Sequence, residues 1–177
     1  LSHAARLGDP LSLTANYARP IAAGEFRVEA LPVCTNRSTQ HWSITLSQGG
    51  VVATTATVVF AIRRDTGSST ELAFPEVPPA DALQRVPAGG MSTWTNNYDL
   101  RFVQGGLPDE TEVERQSGST TIQWIRDDPP RAMDFLSLAS ICDSFFPRIF
   151  LRKQKPVPSG TISLTTYFHA NTEMLDT

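Results

Sequence analysis

The sequence predicts an α+β fold in which antiparallel strands wrap around one long apolar helix, a unit carried twice and cut short at both ends. Three features predict it. Strand-length segments alternate apolar and polar residues. A single run, "RAMDFLSLASICDSFFP" (131–147), is apolar around its whole circumference. A strand near the start is repeated near the end: "LSLTANY" from Leu11 matches "ISLTTYF" from Ile162, with serine, leucine and threonine identical.

In chain order, "LSLTANY" puts Leu11, Leu13, Ala15 and Tyr17 on one face, and "EFRVEA" sets Phe26, Val28 and Ala30 opposite Glu25, Arg27 and Glu29. "QHWSITLSQGGVVATTATVVFAI" places Trp42, Ile44 and Leu46 on one face, turns at "QGG" and returns through β-branched residues, which predicts a long hairpin. Residues 1–64 thus form the first unit, made of strands. Residues 65–92, dense in proline, glycine, serine and threonine, read as a linker.

The second unit, 93–177, opens with strands in "NYDLRFVQG" and "STTIQWIRD", joined by the polar loop "GLPDETEVERQSG". A helix over 129–146 follows, with Asp128 as N-cap, Pro129 and Pro130 in its first turn and Pro147 ending it. Apolar all round, it must be enclosed. "GTISLTTYFHA" then resumes strand alternation.

Composition excludes several functions. Of 177 residues, 15 are lysine or arginine against 18 aspartate or glutamate, and the basic residues are scattered, so nucleic acid is not an expected partner. The short "LRKQK" (151–155) reads as a solvated loop. No segment reaches the roughly 20 apolar residues of a membrane span. Cys34 and Cys142 sit in apolar surroundings as free thiols, which suits a reducing, cytoplasmic setting. The start lacks both a methionine and the pattern of a signal peptide.

Among residues that could do chemistry, Asp143 shares a helical side with Leu136, Ala139, Ser140 and Phe146. Backbone carbonyls at a helix C-terminus repel an anion and apolar neighbours desolvate it, so both effects raise its proton affinity and make it a candidate general base. A last turn reaching the surface would instead leave it merely solvated, and periodicity alone does not choose. Thr161 starts the repeated strand, where the first copy has Pro10; its hydroxyl could hold a water, or the residue could serve β propensity alone. His3, His41 and His169 have no metal spacing, and His169 reads as structural. Ser140 and Ser144 have neither a G-x-S-x-G elbow nor an evident histidine partner, which disfavours a serine hydrolase.

These pieces resemble the double-hotdog acyl-CoA thioesterases of the TesB-like family. The resemblance rests on "DPLSLTANYARP", "TLSQGGVVATTATVVF", "NYDLRFVQG", "IQWIRDDPPRAMDFLSLASICDSFFP" and "TISLTTYFH". It implies hydrolysis of fatty acyl-CoA to free fatty acid and CoA, with no cofactor or metal. In that family an aspartate on the second hotdog helix, a threonine on the next strand and a late glutamine orient the attacking water. Asp143 and Thr161 fall on the first two positions. The glutamine is expected beyond Thr177, and Gln123, on an earlier strand, does not replace it.

Two rival readings follow from the same resemblance. A hotdog hydratase or dehydratase would need a histidine close to the aspartate, and the helix around Asp143 has none. A non-catalytic acyl- or acyl-CoA-binding module would need no water-activating group. Hotdog-like sheets expose long edge strands, so the resemblance also implies self-association into a homodimer or higher homo-oligomer.

Overall fold

The computed structural model of the protein describes residues 3–67, 69–87, 93–106, 118–153 and 155–175. Much of the predicted loop between the strands of the second unit (107–117), the end of the predicted linker (88–92) and Gln154 of the basic cluster lie outside the described residues. The strands are β1 (Asp9–Tyr17), β2 (Arg27–Thr35), β3 (Thr39–Gln48), β4 (Val51–Ala61), β5 (Tyr98–Gln104), β6 (Ile122–Asp127) and β7 (Ser163–Tyr167). The helices are α1 (Phe135–Cys142), α2 (Ile149–Lys153) and α3 (Thr172–Leu175). The chain divides into two compact units, one drawn from Leu1–Thr66, Ala132–Asp143 and Thr161–Thr177, the other from Gly67–Arg131 and Ser144–Gly160.

The first unit is built on a five-stranded antiparallel sheet in the order β2-β3-β4-β1-β7. The β3–β4 hairpin turns through Gly49 and Gly50, whose φ values of 58° and 79° lie where side chains with a Cβ are strained. Alternation puts Trp42, Val58 and Phe60 on one face, where they form a buried cluster flanked by Leu13, Ala30 and Ile44. Each such buried side chain stabilises the fold by about 1.5–3 kcal/mol. The indole N–H of Trp42 donates to the Gln40 side chain at 2.8 Å, so burying it leaves no donor unmet.

The repeated segments meet in this sheet. β1 and β7 pair antiparallel, and Thr14 stands opposite Thr165, its own counterpart in the repeat. The flanking pairs then follow as mirror relations: Leu13 faces Thr166 while Ala15 faces Leu164, and Ser12 faces Tyr167 while Asn16 faces Ser163. A local two-fold axis therefore passes between Thr14 and Thr165, whose hydroxyls lie 3.1 Å apart in hydrogen-bond contact.

The second unit holds the β5–β6 pair, two short 3-10 turns (Ala80–Ala82 and Thr93–Asn97) and α2. Its anchor is Asp99, which is 7% exposed and accepts from Arg101 Nε and Nη2 at 2.9 and 3.0 Å and from Arg126 Nη2 at 3.0 Å. Phe146 packs edge-on against Phe102 and stacks on Phe150.

The long helix expected over 129–146 is corrected by the structure. Helix α1 covers only Phe135–Cys142, and its N-cap is Asp134, whose carboxylate accepts from the Ser137 N–H at 2.7 Å, not Asp128. The reason lies in the paired prolines: a residue before proline is driven out of the helical region, so Pro129 cannot be the first residue of a helix that Pro130 continues, and Asp128 has no helix to cap. Enclosure fails as well. Phe135 is buried and packs edge-on against Phe168, but Leu136 is 44% exposed. The apolar run is greasy all round because it serves two cores: α1 contributes to the first unit, and the chain then leaves the helix so that Phe146 fills the second. Among the described residues no helix is long and apolar enough to cross a membrane.

Candidate active site

Strand β1 ends at Tyr17 and helix α1 ends at Cys142, and the ends meet. Asp143 takes the C-cap position of α1 with φ −96° and ψ 15°, its N–H still bonded to the Ser140 carbonyl. From there its carboxylate projects toward β1, where the phenol of Tyr17 donates to Oδ2 at 3.2 Å. The hydroxyl is available because burial first, and the neighbouring Asp143 charge and hydrogen bond second, push the Tyr17 phenol above its ordinary pKa. At neutral pH it therefore stays protonated and can only donate to a carboxylate.

The main chain of the same tyrosine bonds the residue that follows Thr161. The N–H of Tyr17 donates to the Ile162 carbonyl at 2.9 Å, which extends the β1–β7 ladder one step beyond the Asn16–Ser163 pair. Thr161 is the residue just before this bond. Tyr17 is thus tied to Asp143 by its side chain and to the approach to β7 by its backbone. Both Asp143 and Thr161 are exposed, so the enclosed apolar setting expected for the carboxylate is not what this chain shows. Asp143 reaches solvent while keeping one oriented partner.

Tyr17 is the site residue that strand alternation hides, because it reads simply as the last inward position of β1. The signal that singles it out lies in the repeat: its counterpart, Phe168, occupies the equivalent place without a hydroxyl. Phe168 is 3% exposed and rests on Phe135 at the start of α1, whereas Tyr17 bonds the residue at its end.

The other candidates lie elsewhere. His169 is exposed, and its main-chain carbonyl accepts from Arg63. Ser144 is buried and accepts from Gln123 Nε2 at 2.9 Å, both within the second unit. In the basic cluster Arg152 and Lys153 end α2, with Leu151 buried beneath. A cavity of about 390 Å³ in the second unit is lined by Ala80, Asp81, Asp99, Arg101, Trp124 and neighbouring β6 residues, and includes neither Asp143 nor Thr161. No cluster of three or more histidine, cysteine, aspartate or glutamate side chains placed to hold a metal occurs among the described residues.

Comparison with known proteins adds identity to this geometry. Residues 73–176 match the family described as acyl-CoA thioesterase C-terminal domain, and residues 1–61 match the acyl-CoA thioesterase N-terminal domain. Among solved structures, the chain superposes on a conserved protein of unknown function with a hot dog fold from Alicyclobacillus acidocaldarius. The TM-score is 0.90 and the identity 46%, over 99% of this chain and 64% of that one. It also superposes on a tesB protein from Mycobacterium avium subs paratuberculosis with a TM-score of 0.71 at 15% identity, over 95% of this chain and 62% of that one, a likeness of fold. The chain thus spans less than two thirds of the length of these solved proteins. No curated protein matches it. The architecture is α+β, mostly antiparallel sheet with few helices, and its structural neighbour carries the hotdog fold.

Proposed function

The chain belongs to the acyl-CoA thioesterase family, and from that premise we propose that it hydrolyses fatty acyl-CoA to free fatty acid and CoA, with Asp143 as the general base. The observation that carries this reading is Tyr17, which orients the Asp143 carboxylate and is bonded to the residue next to Thr161.

In the proposed reaction a water held by the Thr161 hydroxyl gives a proton to Asp143 as its oxygen attacks the thioester carbonyl carbon. The tetrahedral intermediate collapses by breaking the C–S bond, and the departing thiolate takes up the proton. The products are the carboxylic acid and the free thiol. The chemistry asks for no metal and no covalent acyl-enzyme, since a thioester carbonyl is electrophilic enough for an oriented, base-assisted water.

The same reading places the chain in a double hotdog, with a first half at 1–64, a linker at 65–92 and a second half at 93–177. Matches to separate N- and C-terminal domain families and the two-fold pairing about Thr14 and Thr165 support it. Self-association as a homodimer or larger assembly is part of the proposal, supported by the edge strand β2, where Val28, Leu31 and Val33 are exposed. A cytoplasmic setting is supported by the free thiols of Cys34 and Cys142.

The test is thiol release from acyl-CoAs of graded chain length by the protein and by its Asp143→Ala variant. Release by the parent and its loss in the variant, with acyl-CoA binding retained, upholds the proposal. Equal binding with no release by either protein would instead favour a non-catalytic acyl-CoA-binding module.

A further inference from the structure

We propose that Tyr17 is a positioning residue for the hydrolysis, fixing the Asp143 carboxylate through Oδ2 so that Oδ1 is presented to the attacking water. The proposal rests on the functional reading above and adds a residue to it.

Three observations carry it. First, the bond is specific to one copy of the repeat. Across the two-fold axis through Thr14 and Thr165, Tyr17 corresponds to Phe168; the Phe168 ring packs on Phe135 at the start of α1, and the Tyr17 hydroxyl bonds Asp143 at its C-cap. A position whose task was only to brace the helix is served by phenylalanine in the second copy. The hydroxyl appears at the end where the carboxylate stands.

Second, among the described residues Tyr17 is the one side chain that donates to Asp143. An exposed aspartate at a helix C-terminus would otherwise sample several rotamers, and a general base works only when its oxygen is held within hydrogen-bond reach of the proton it takes. One donor on Oδ2 limits that freedom and leaves Oδ1 open. The 3.2 Å separation is long for an O–H···O bond, whose usual range is about 2.5–3.0 Å, and catalytic bonds of this kind tighten when substrate excludes water.

Third, the phenol cannot compete for the proton. Burial and the adjacent carboxylate both raise its pKa, so at neutral pH it remains a protonated donor.

Tyr17→Phe is the discriminating variant, because it keeps the ring and the main-chain N–H that bonds Ile162, and removes only the hydroxyl. The expected result is a fall in kcat of about tenfold or more with KM within about twofold, as befits a lost orienting contact. A second readout is independent of turnover. The ultraviolet titration of the Tyr17 phenol, obtained as the difference between the parent and Tyr17→Phe, moves to lower pH in an Asp143→Asn background if the bond exists. Unchanged kcat in Tyr17→Phe, in a protein whose Asp143→Asn variant is inactive, overturns the inference and leaves the hydrolytic reading standing. An unmoved titration also overturns it. A parent protein that releases no thiol from any acyl-CoA overturns the hydrolytic reading, and this role with it.

Discussion

The Tyr17 phenol donates to Asp143 Oδ2 at 3.2 Å, joining the end of strand β1 to the end of helix α1 across more than a hundred residues of sequence. The bond gives the carboxylate a direction although it lies at the surface, and the main chain of the same tyrosine holds the carbonyl of Ile162. One residue therefore bonds both Asp143 and the neighbour of Thr161.

Thr161 supplies the next prediction. If its hydroxyl holds the attacking water, Thr161→Val lowers kcat about a hundredfold, the scale of losing one oriented contact to the reacting atoms, and Thr161→Ser restores most of it. Thr161 is exposed, so the melting temperature changes by no more than about 1–2 °C in either variant. Steady-state kinetics beside a thermal melt checks both halves of the expectation.

The sheet register is testable by crosslinking. Thr14 and Thr165 are directly opposed, and facing residues of an antiparallel pair bring their Cα atoms to about 4.5–5.5 Å, within the range of a disulfide. Thr14→Cys/Thr165→Cys is expected to oxidise to an intramolecular crosslink, seen as a mobility shift on non-reducing electrophoresis. A Thr14→Cys/Leu164→Cys pair, displaced by one residue, points its side chains to opposite faces and is expected to crosslink poorly.

Helix α1 depends on its cap. Asp134→Ala removes the bond to the Ser137 N–H and costs about 1 kcal/mol, or about 2–4 °C in Tm for a chain of this size. Asp128→Ala, altering the residue that the prolines exclude from the helix, leaves the amide exchange of 135–142 unchanged, whereas Asp134→Ala accelerates it.

Asp99 sets an acid limb to stability. The hydrogen bond from Arg101 outweighs desolvation and, with Arg126, holds its carboxyl below the ordinary aspartate value. The folded pKa is depressed, so the contribution is complete above about pH 3.9, the unfolded value, and is lost as the pH falls through the lower folded one. Chemical denaturation between pH 7 and pH 2 is expected to show Asp99→Asn less stable by about 2 kcal/mol at neutral pH, with the gap to the parent closing in acid.

Much of the fold was legible because strands advertise themselves by alternation. β1, β3 and β7 fall where Leu13, Trp42 and Leu164 alternate with polar neighbours, β4 falls on the run rich in β-branched threonine and valine, and the glycines of "QGG" mark the hairpin. The repeat was legible too, and the structure turns it into a pairing about Thr14 and Thr165. The helix was not. A circumference of apolar residues reads as one enclosed helix, yet Phe135 serves one unit and Phe146 the other, and periodicity cannot show where a chain changes cores. At the proposed site, Asp143 was marked by its place at the end of the apolar run and Thr161 only by the family resemblance, whereas Tyr17 was concealed because a phenol at the end of an apolar face looks like any aromatic. Only its difference from Phe168 within the repeat hints at a separate task.

The central claim is that the Asp143 carboxylate activates water against a thioester. It is tested most directly by comparing single-turnover thiol release from a long-chain acyl-CoA by the protein and its Asp143→Asn variant at saturating protein. The account predicts a drop in rate of about 10²–10⁴-fold with acyl-CoA still bound, the range set by removal of a general base. Release at an undiminished rate in the variant would contradict it.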